Sequence, residues 1–260
     1  MYRLIKNEMT KMFSRKSTWV MILIVIALTA ASPVIALQLT PDVKPSLWEQ
    51  VQENSSLISI LAIFVSAAAA TIVASEFSQG TIKLLLIRPL SRSRVLLSKY
   101  LAVMSFGLIM VVVLFAVSVI VSGFLFGFDG SAKPYLYIGS EGGVVEVDML
   151  YKTIESYVLR SIALIIYPTL AFMLAVLFRT NTLAQGLTIV SIILGPQLAS
   201  AFANYSWAKY LLFAHTDPSL ILSGNPFGVS FPFSLAVLAV YFSGMIAVSW
   251  YTFNKRDIAA

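Results

Sequence analysis

The chain has 260 residues, of which 58% are hydrophobic and 12% charged, and its formal net charge is +6. A soluble domain usually carries about 25% charged residues, so this composition excludes an ordinary soluble fold. The sequence has no cysteine and a single histidine, His215, which excludes disulfides, thiolate metal sites and histidine-rich metal clusters.

Apolar stretches of about 20 residues predict an all-α polytopic membrane protein with six transmembrane helices. Strands of a β-barrel would be about 10 residues long with strict alternation, which the sequence does not show. We expect residues 1–260 to form a single transmembrane domain. Its predicted spans lie at about 18–39, 56–75, 100–126, 157–178, 182–203 and 232–253.

The distribution of Lys and Arg predicts the orientation of these spans, because short cytoplasmic loops are enriched in both residues. With the N-terminus inside, the inner segments hold 13 basic and 3 acidic residues, whereas the outer segments hold 5 basic and 9 acidic residues. We therefore expect a multi-pass protein of a bacterial cell (plasma) membrane, with the N- and C-termini in the cytoplasm.

Residues 1–17 predict an amphipathic helix before the first span. At 100° per residue its apolar side chains share one arc and its charged side chains, including Glu8, fill the opposite side. The apolar arc consists of Tyr2, Ile5, Met9, Met12 and Phe13. A basic amphipathic helix at this place is typical of the cytoplasmic membrane interface, and an ordinary basic flank is the alternative.

Two outer segments differ in character. Residues 127–156 are rich in glycine and acidic residues, which predicts a solvated loop. Residues 204–231 are rich in aromatic side chains and are divided by Asp217-Pro218 and Gly224-Asn225-Pro226. This pattern predicts short re-entrant helices that dip into the outer leaflet between spans five and six.

The cytoplasmic loop 76–99 carries the most specific pattern. Gly80-Thr81 permits a sharp change of direction after Glu76, and a run of apolar residues too short to span follows. Pro89 ends this run, and Ser91 is a candidate N-cap for a helix that begins at Arg92. The loop therefore predicts a short amphipathic helix suited to docking into a groove on another protein.

This loop resembles the cytoplasmic signature of the permease subunits of type-2 ABC exporters. The matching positions are Glu76, Gly80, Thr81, Leu85, Leu86, Pro89, Arg92 and Lys99. The resemblance implies an N-terminal elbow helix at 1–17 and a coupling helix within 76–99. It also implies that two permease subunits, identical or related, pair with separate ATPase subunits. All the matching positions except Lys99 would then form the coupling site, and ATP-driven closure would drive alternating access.

The chain itself lacks the GxxxxGK[ST] motif of a P-loop, so ATP and Mg²⁺ would be used by the partner ATPase. We expect a transport subunit without enzymatic activity, cofactor or metal of its own, whose partners are the ATPase, the second permease subunit and the lipid bilayer. Nucleic acid is not expected as a partner.

The fifth predicted span contains Gln185, Ser191 and Gln197, which line a pathway or support helix packing. No residue in the sequence selects one cargo; the uncharged interior favours amphipathic compounds such as peptides and antibiotics. Two alternatives stay open. One is a non-transporting immunity or sensor protein that binds a peptide at its outer surface, and the other is a membrane enzyme that uses His215 or an acidic residue of an outer loop.

Overall fold

The structure is a computed structural model that describes residues 1–39, 45–78, 91–128, 135–138, 144–219 and 227–255. Helices dominate these residues. They are α1 Tyr2–Phe13, α2 Lys16–Leu39, α3 Leu47–Asn54, α4 Ile58–Ser78, α5 Arg92–Phe126, α6 Met149–Ser161, α7 Ala163–Phe178, α8 Asn181–Ala201 and α9 Phe231–Lys255. Single 3-10 turns lie at Ser55–Leu57, Ala208–Tyr210 and Leu212–Ala214.

Six helical segments of the described chain are long and apolar enough to cross a membrane, as the sequence predicts. They are Lys16–Leu39, Leu47–Glu76, Arg92–Phe126, Met149–Phe178, Asn181–Ala201 and Phe231–Lys255. The chain is therefore a multi-pass α-helical membrane protein.

The second and fourth segments are each interrupted near the end that is predicted to lie on the outer side of the membrane. A 3-10 turn separates α3 from α4, and Ile162 separates α6 from α7. Ser46 begins α3 with a capping box, in which its hydroxyl accepts from the backbone N–H of Glu49 and that carboxylate accepts from the Ser46 N–H. Because α3 and α6 pack on each other and α3 also packs on α5, they extend the bundle beyond α4 and α7.

The core lies between α4 and α7, which pack against each other more extensively than any other pair of described helices. Helix α4 contains several small residues, such as Ala62, Ala69 and Ala70, that are fully buried in this core. Small side chains let two helices approach closely in a membrane protein. Phe106 from α5 and Phe172 from α7 are fully buried in the same core.

Helices α2, α8 and α9 lie at the periphery. Their exposed faces carry large apolar side chains, among them Leu23 on α2, Leu194 on α8 and Val240 on α9. Such faces suit lipid or another membrane-embedded chain as surroundings.

Two features of the connections were not predicted. Within 127–156, strands β1 Tyr135–Ile138 and β2 Val144–Val147 pair antiparallel, with Tyr135 opposite Val147. Between α7 and α8, Arg179 adopts the left-handed conformation with φ 57°, which ends α7 and lets α8 begin two residues later.

Candidate functional site: a buried ion cluster beside residues 79–90

Helix α1 lies against the bundle, but its buried side does not coincide with the predicted apolar arc. Met12 is buried and Phe13 packs on Phe106 of α5 with their rings edge to face at 5.9 Å. Tyr2, predicted on the apolar side, is 76% exposed, whereas Glu8, predicted on the polar side, is buried. Position on the helix alone therefore does not decide which side chains of α1 are buried.

The joint between α1 and α2 is held by two side chains of α2. The Thr18 hydroxyl donates to the carbonyl oxygen of Met12 at 2.6 Å, and the indole N–H of Trp19 donates to that of Phe13 at 2.8 Å. The last carbonyls of a helix have no intrahelical partner, so these bonds stabilise the end of α1. They also fix the orientation of α1 relative to α2, the first span.

Four charged side chains from three helices meet beneath α1. The Lys99 ammonium of α5 donates to Glu8 of α1 and to Glu76 of α4, both at 2.8 Å. Lys11 of α1 donates to the same two carboxylates, at 3.0 Å to Glu8 and 3.4 Å to Glu76. We call Glu8, Lys11, Glu76 and Lys99 the ion cluster. Its two positive and two negative charges cancel.

The two ammonium groups differ in their exposure to water. The Lys99 side chain is 3% exposed, and that of Lys11 is 43% exposed. An isolated charge at the position of Lys99 would be very costly, so its two carboxylate partners are what allow it to be buried. Partial burial lowers the pKa of Lys11, but its hydrogen bond to Glu8 and the charges of Glu8 and Glu76 outweigh that effect and raise it.

The predicted coupling residues fall into two groups. Glu76 and Arg92 are described, and Gly80, Thr81, Leu85, Leu86 and Pro89 lie outside the described residues. Arg92 lies one residue after Ser91, the N-cap residue of α5, although the Ser91 side chain makes no capping bond. The Arg92 guanidinium donates to the carbonyl oxygen of Asn254 in α9 at 3.3 Å. The end of α9 therefore lies near the beginning of α5.

The sequence pattern included Glu76 and Lys99 but did not pair them, and it did not single out Glu8 or Lys11 as members of a site. A signal was present in each case. Glu8 is the only acid among the first 17 residues, which hold five basic ones, and Lys99 is an isolated charge within an otherwise apolar stretch of α5. Unmatched charges of opposite sign in two neighbouring segments are candidates for a buried pair.

Residues 18–259 match a family described as a protein of unknown function, DUF2705. The chain belongs to this family. It shares 38% identity over 223 residues with the protein YhcI of Bacillus subtilis, covering 84% of this chain and 71% of YhcI. It also shares 27% identity over 257 residues with the membrane protein YdbK of the same organism, covering 95% of this chain and 99% of YdbK.

In this DUF2705 protein, the polar residues of the fifth span separate into an inward and an outward set. The Gln185 amide donates to the Ala67 carbonyl at 3.2 Å, to the Thr71 hydroxyl at 3.0 Å and to the Asn181 side chain at 2.9 Å. Gln185 therefore joins α8 to α4. Ser191 donates to the carbonyl of Leu187 within its own helix, and Gln197 is an exposed residue of α8.

The single histidine is fully buried and has a structural place. Its Nε2 lies 2.8 Å from the carbonyl oxygen of Lys209, which can only accept, so Nε2 carries the proton and donates. Its Nδ1 lies 2.8 Å from the Ser234 hydroxyl of α9, from which it accepts. Burial lowers the pKa of His215. His215 thus fixes the segment after α8 to the start of α9.

Proposed function

We propose that this chain is the membrane-spanning permease subunit of an ATP-driven ABC exporter. In this proposal a separate ATPase subunit docks on the coupling region and drives alternating access. The cargo is an amphipathic compound such as a peptide or an antibiotic. Six candidate spans and a match to the coupling signature at Glu76 and Arg92 support this reading.

The observation that carries the proposal is the ion cluster. Residues 79–90 run from the end of α4 to Ser91, the N-cap residue of α5, and Glu76 and Lys99 lie on those two helices. Lys99 also pairs with Glu8 of α1, so it connects all three helices. A displacement of residues 79–90 by a docked ATPase would therefore move α1, α4 and α5 as one unit. In this mechanism α1 is the elbow helix at the cytoplasmic interface.

The charge distribution supports a cytoplasmic position for the cluster. Basic residues are concentrated in the segments that would lie inside, and α1, residues 76–99 and the end of α9 all belong to those segments. An ATPase in the cytoplasm would reach them. The segment 204–231 would lie on the outer side, where its aromatic side chains suit headgroup level.

The partners in this proposal supply what the chain lacks. The sequence contains no P-loop motif, so ATP and Mg²⁺ would be bound by the ATPase. A second permease subunit, identical or related, would complete the pathway. The exposed apolar faces of α2, α8 and α9 offer surface for that subunit and for lipid.

The test is co-expression with candidate ABC ATPases of the same genome, followed by co-purification and measurement of ATP hydrolysis and export. Leu85→Asp and Arg92→Glu should each reduce export and the stimulation of hydrolysis, because a charge of the wrong kind enters the docking surface. Leu85→Met and Arg94→Glu are the matched controls. Normal export by both charged variants would contradict the coupling assignment. A phenotype that persists without any ATPase would instead favour an immunity or sensor protein.

A further inference from the structure

A cavity of about 270 Å³ lies between α4, α7, α8 and the segment that follows α8. Most of its wall is apolar, with Ile58 from α4, Ile192 from α8 and Phe213 from the second 3-10 turn after α8. Two charged residues also line it, Arg160 at the end of α6 and Asp217. The ion cluster does not contact this cavity, so the two sites are separate.

The depth of the cavity can be placed by helix length. Ile58 precedes Glu76 by 18 residues along α4, and Ser200 follows Asn181 by 19 residues along α8. At 1.5 Å per residue each distance is about 27–29 Å, close to the roughly 30 Å thickness of the hydrocarbon core. Asn181 contacts Thr71 of α4, so both helices are measured from the same end. The cavity therefore lies at headgroup level, at the membrane boundary opposite the ion cluster.

The charges in the cavity are not neutralised by one another. The Nε of Arg160 is enclosed and has no hydrogen-bond partner among the described residues. None of the ion pairs between described residues includes Arg160 or Asp217. One carboxylate oxygen of Asp217 accepts from the backbone N–H of Ser219 at 3.1 Å and from the Ser219 hydroxyl. Both recorded bonds use that same oxygen.

An enclosed guanidinium N–H without a partner costs free energy that an anionic ligand would recover. The planar guanidinium matches a phosphate or carboxylate well, because it can donate two parallel hydrogen bonds. A purely anionic ligand would be repelled by Asp217 in the same cavity. A group with one charge of each sign satisfies both residues.

We propose that this cavity binds the zwitterionic headgroup of an amphipathic molecule. The phosphate or carboxylate contacts Arg160, the ammonium contacts Asp217, and the apolar part lies along Ile58 and Phe213. This site goes beyond the proposed transport function and does not depend on it. Phospholipids with an ethanolamine headgroup and soluble zwitterions such as phosphoethanolamine share this chemistry.

The test measures ligand binding to the purified full-length protein in a nonionic detergent. The probes are short-chain phosphatidylethanolamine, short-chain phosphatidylglycerol and free phosphoethanolamine. We expect phosphatidylethanolamine to bind saturably and roughly tenfold more tightly than phosphatidylglycerol. Equal binding of both lipids would overturn the proposal, because the ammonium would then contribute nothing. Binding of free phosphoethanolamine would identify a soluble source, and binding of the lipid alone would identify the membrane as the source.

Variants locate the site. Arg160→Gln and Asp217→Asn should each weaken binding of phosphatidylethanolamine by roughly tenfold. Arg94→Gln is the control, because Arg94 is exposed and lies outside the cavity lining, and it should leave binding unchanged. Ser200→Trp fills the cavity from an exposed position and should also abolish binding, whereas Ser206→Trp, exposed but outside the cavity lining, should leave it unchanged. Size-exclusion profiles and melting temperatures check folding. If Arg160→Gln misfolds, Ser200→Trp decides, and unchanged binding by Ser200→Trp would overturn the proposal.

Discussion

The Oε1 atom of Glu76 lies 2.8 Å from the Nζ atom of Lys99, and these two residues come from the helices on either side of residues 79–90. The same ammonium reaches Glu8 at 2.8 Å on a helix that begins at the second residue of the chain. One buried side chain therefore joins two consecutive helices, α4 and α5, to α1, which is distant from both in sequence. Substitution of Lys99 should therefore weaken the packing of all three helices.

Lys99→Met should lower the stability of the protein strongly, by about 3–5 kcal/mol, because it removes the buried ammonium that pairs with the carboxylates of Glu8 and Glu76. Lys11→Met is the matched variant in the same cluster. Because the Lys11 side chain is 43% exposed, its loss should cost about 0–1 kcal/mol. Melting temperatures in a common detergent compare the two. Equal shifts for both variants would contradict the burial of Lys99 as the deciding property.

A neutral replacement of the buried charges extends this prediction. The triple variant Glu8→Gln, Glu76→Gln and Lys99→Met removes both carboxylates together with the ammonium. It should therefore be more stable than Lys99→Met alone, since it also removes the two carboxylates that Lys99→Met leaves buried without that ammonium. Export activity should nevertheless fall if the cluster transmits movement from the docked ATPase. Recovery of stability with unchanged export would separate the cluster from coupling.

Gln185→Leu should loosen the contact between α4 and α8. The Gln185 amide makes three hydrogen bonds at 2.9–3.2 Å, two of them to α4. Hydrogen bonds between membrane helices contribute about 0.6 kcal/mol each on average, so we expect a loss of about 1 kcal/mol. Gln197→Leu is the control on the same helix, and it should leave the melting temperature of the isolated subunit unchanged because Gln197 is exposed. An equal loss for both variants would contradict the packing role.

Stability should fall as the pH is lowered, because of His215. Burial lowers its pKa in the folded protein, so the unfolded state, with a pKa of about 6.5, binds the proton first. The contribution is therefore fully present above about pH 6.5 and is lost as the pH falls towards the pKa of the folded state. A protonated ring would also lose Nδ1 as an acceptor for Ser234. His215→Gln should flatten the dependence of melting temperature on pH. An unchanged slope of melting temperature against pH would contradict the role given to His215.

Gly195 and Gly186 on α8 form a second matched pair. A Cβ atom at Gly195 would lie 2.5 Å from the Phe213 ring, whereas a Cβ atom at Gly186 would meet no atom within 4 Å. Gly195→Ala should displace Phe213 and cost about 1–3 kcal/mol through overpacking. Gly186→Ala should be neutral or stabilising by up to about 1 kcal/mol, since alanine favours the helix. Melting temperatures of both variants check this, and a loss at Gly186 alone would contradict it.

Some elements follow from local chemistry. The beginning of α5 at Arg92 is predicted by Pro89, which ends the preceding run, and by Ser91 at the N-cap position. The amphipathic helix α1 follows from its apolar spacing. The breaks inside the second and fourth segments were not predicted, because the chain is helical on both sides of each break. The breaks depend on tertiary packing, in which α3 contacts both α6 and α5.

The sequence by itself determined the membrane class and the six candidate spans, because the bilayer requires long apolar helices whatever their neighbours are. It also placed Glu76 and Arg92 beside the segment 79–90. Only the tertiary structure decided that Glu76 pairs with Lys99 and Glu8, that His215 is buried, and that Arg160 and Asp217 share a cavity. The physical reason is that hydropathy is a local property, whereas the partner of a buried charge is chosen by which helices pack together.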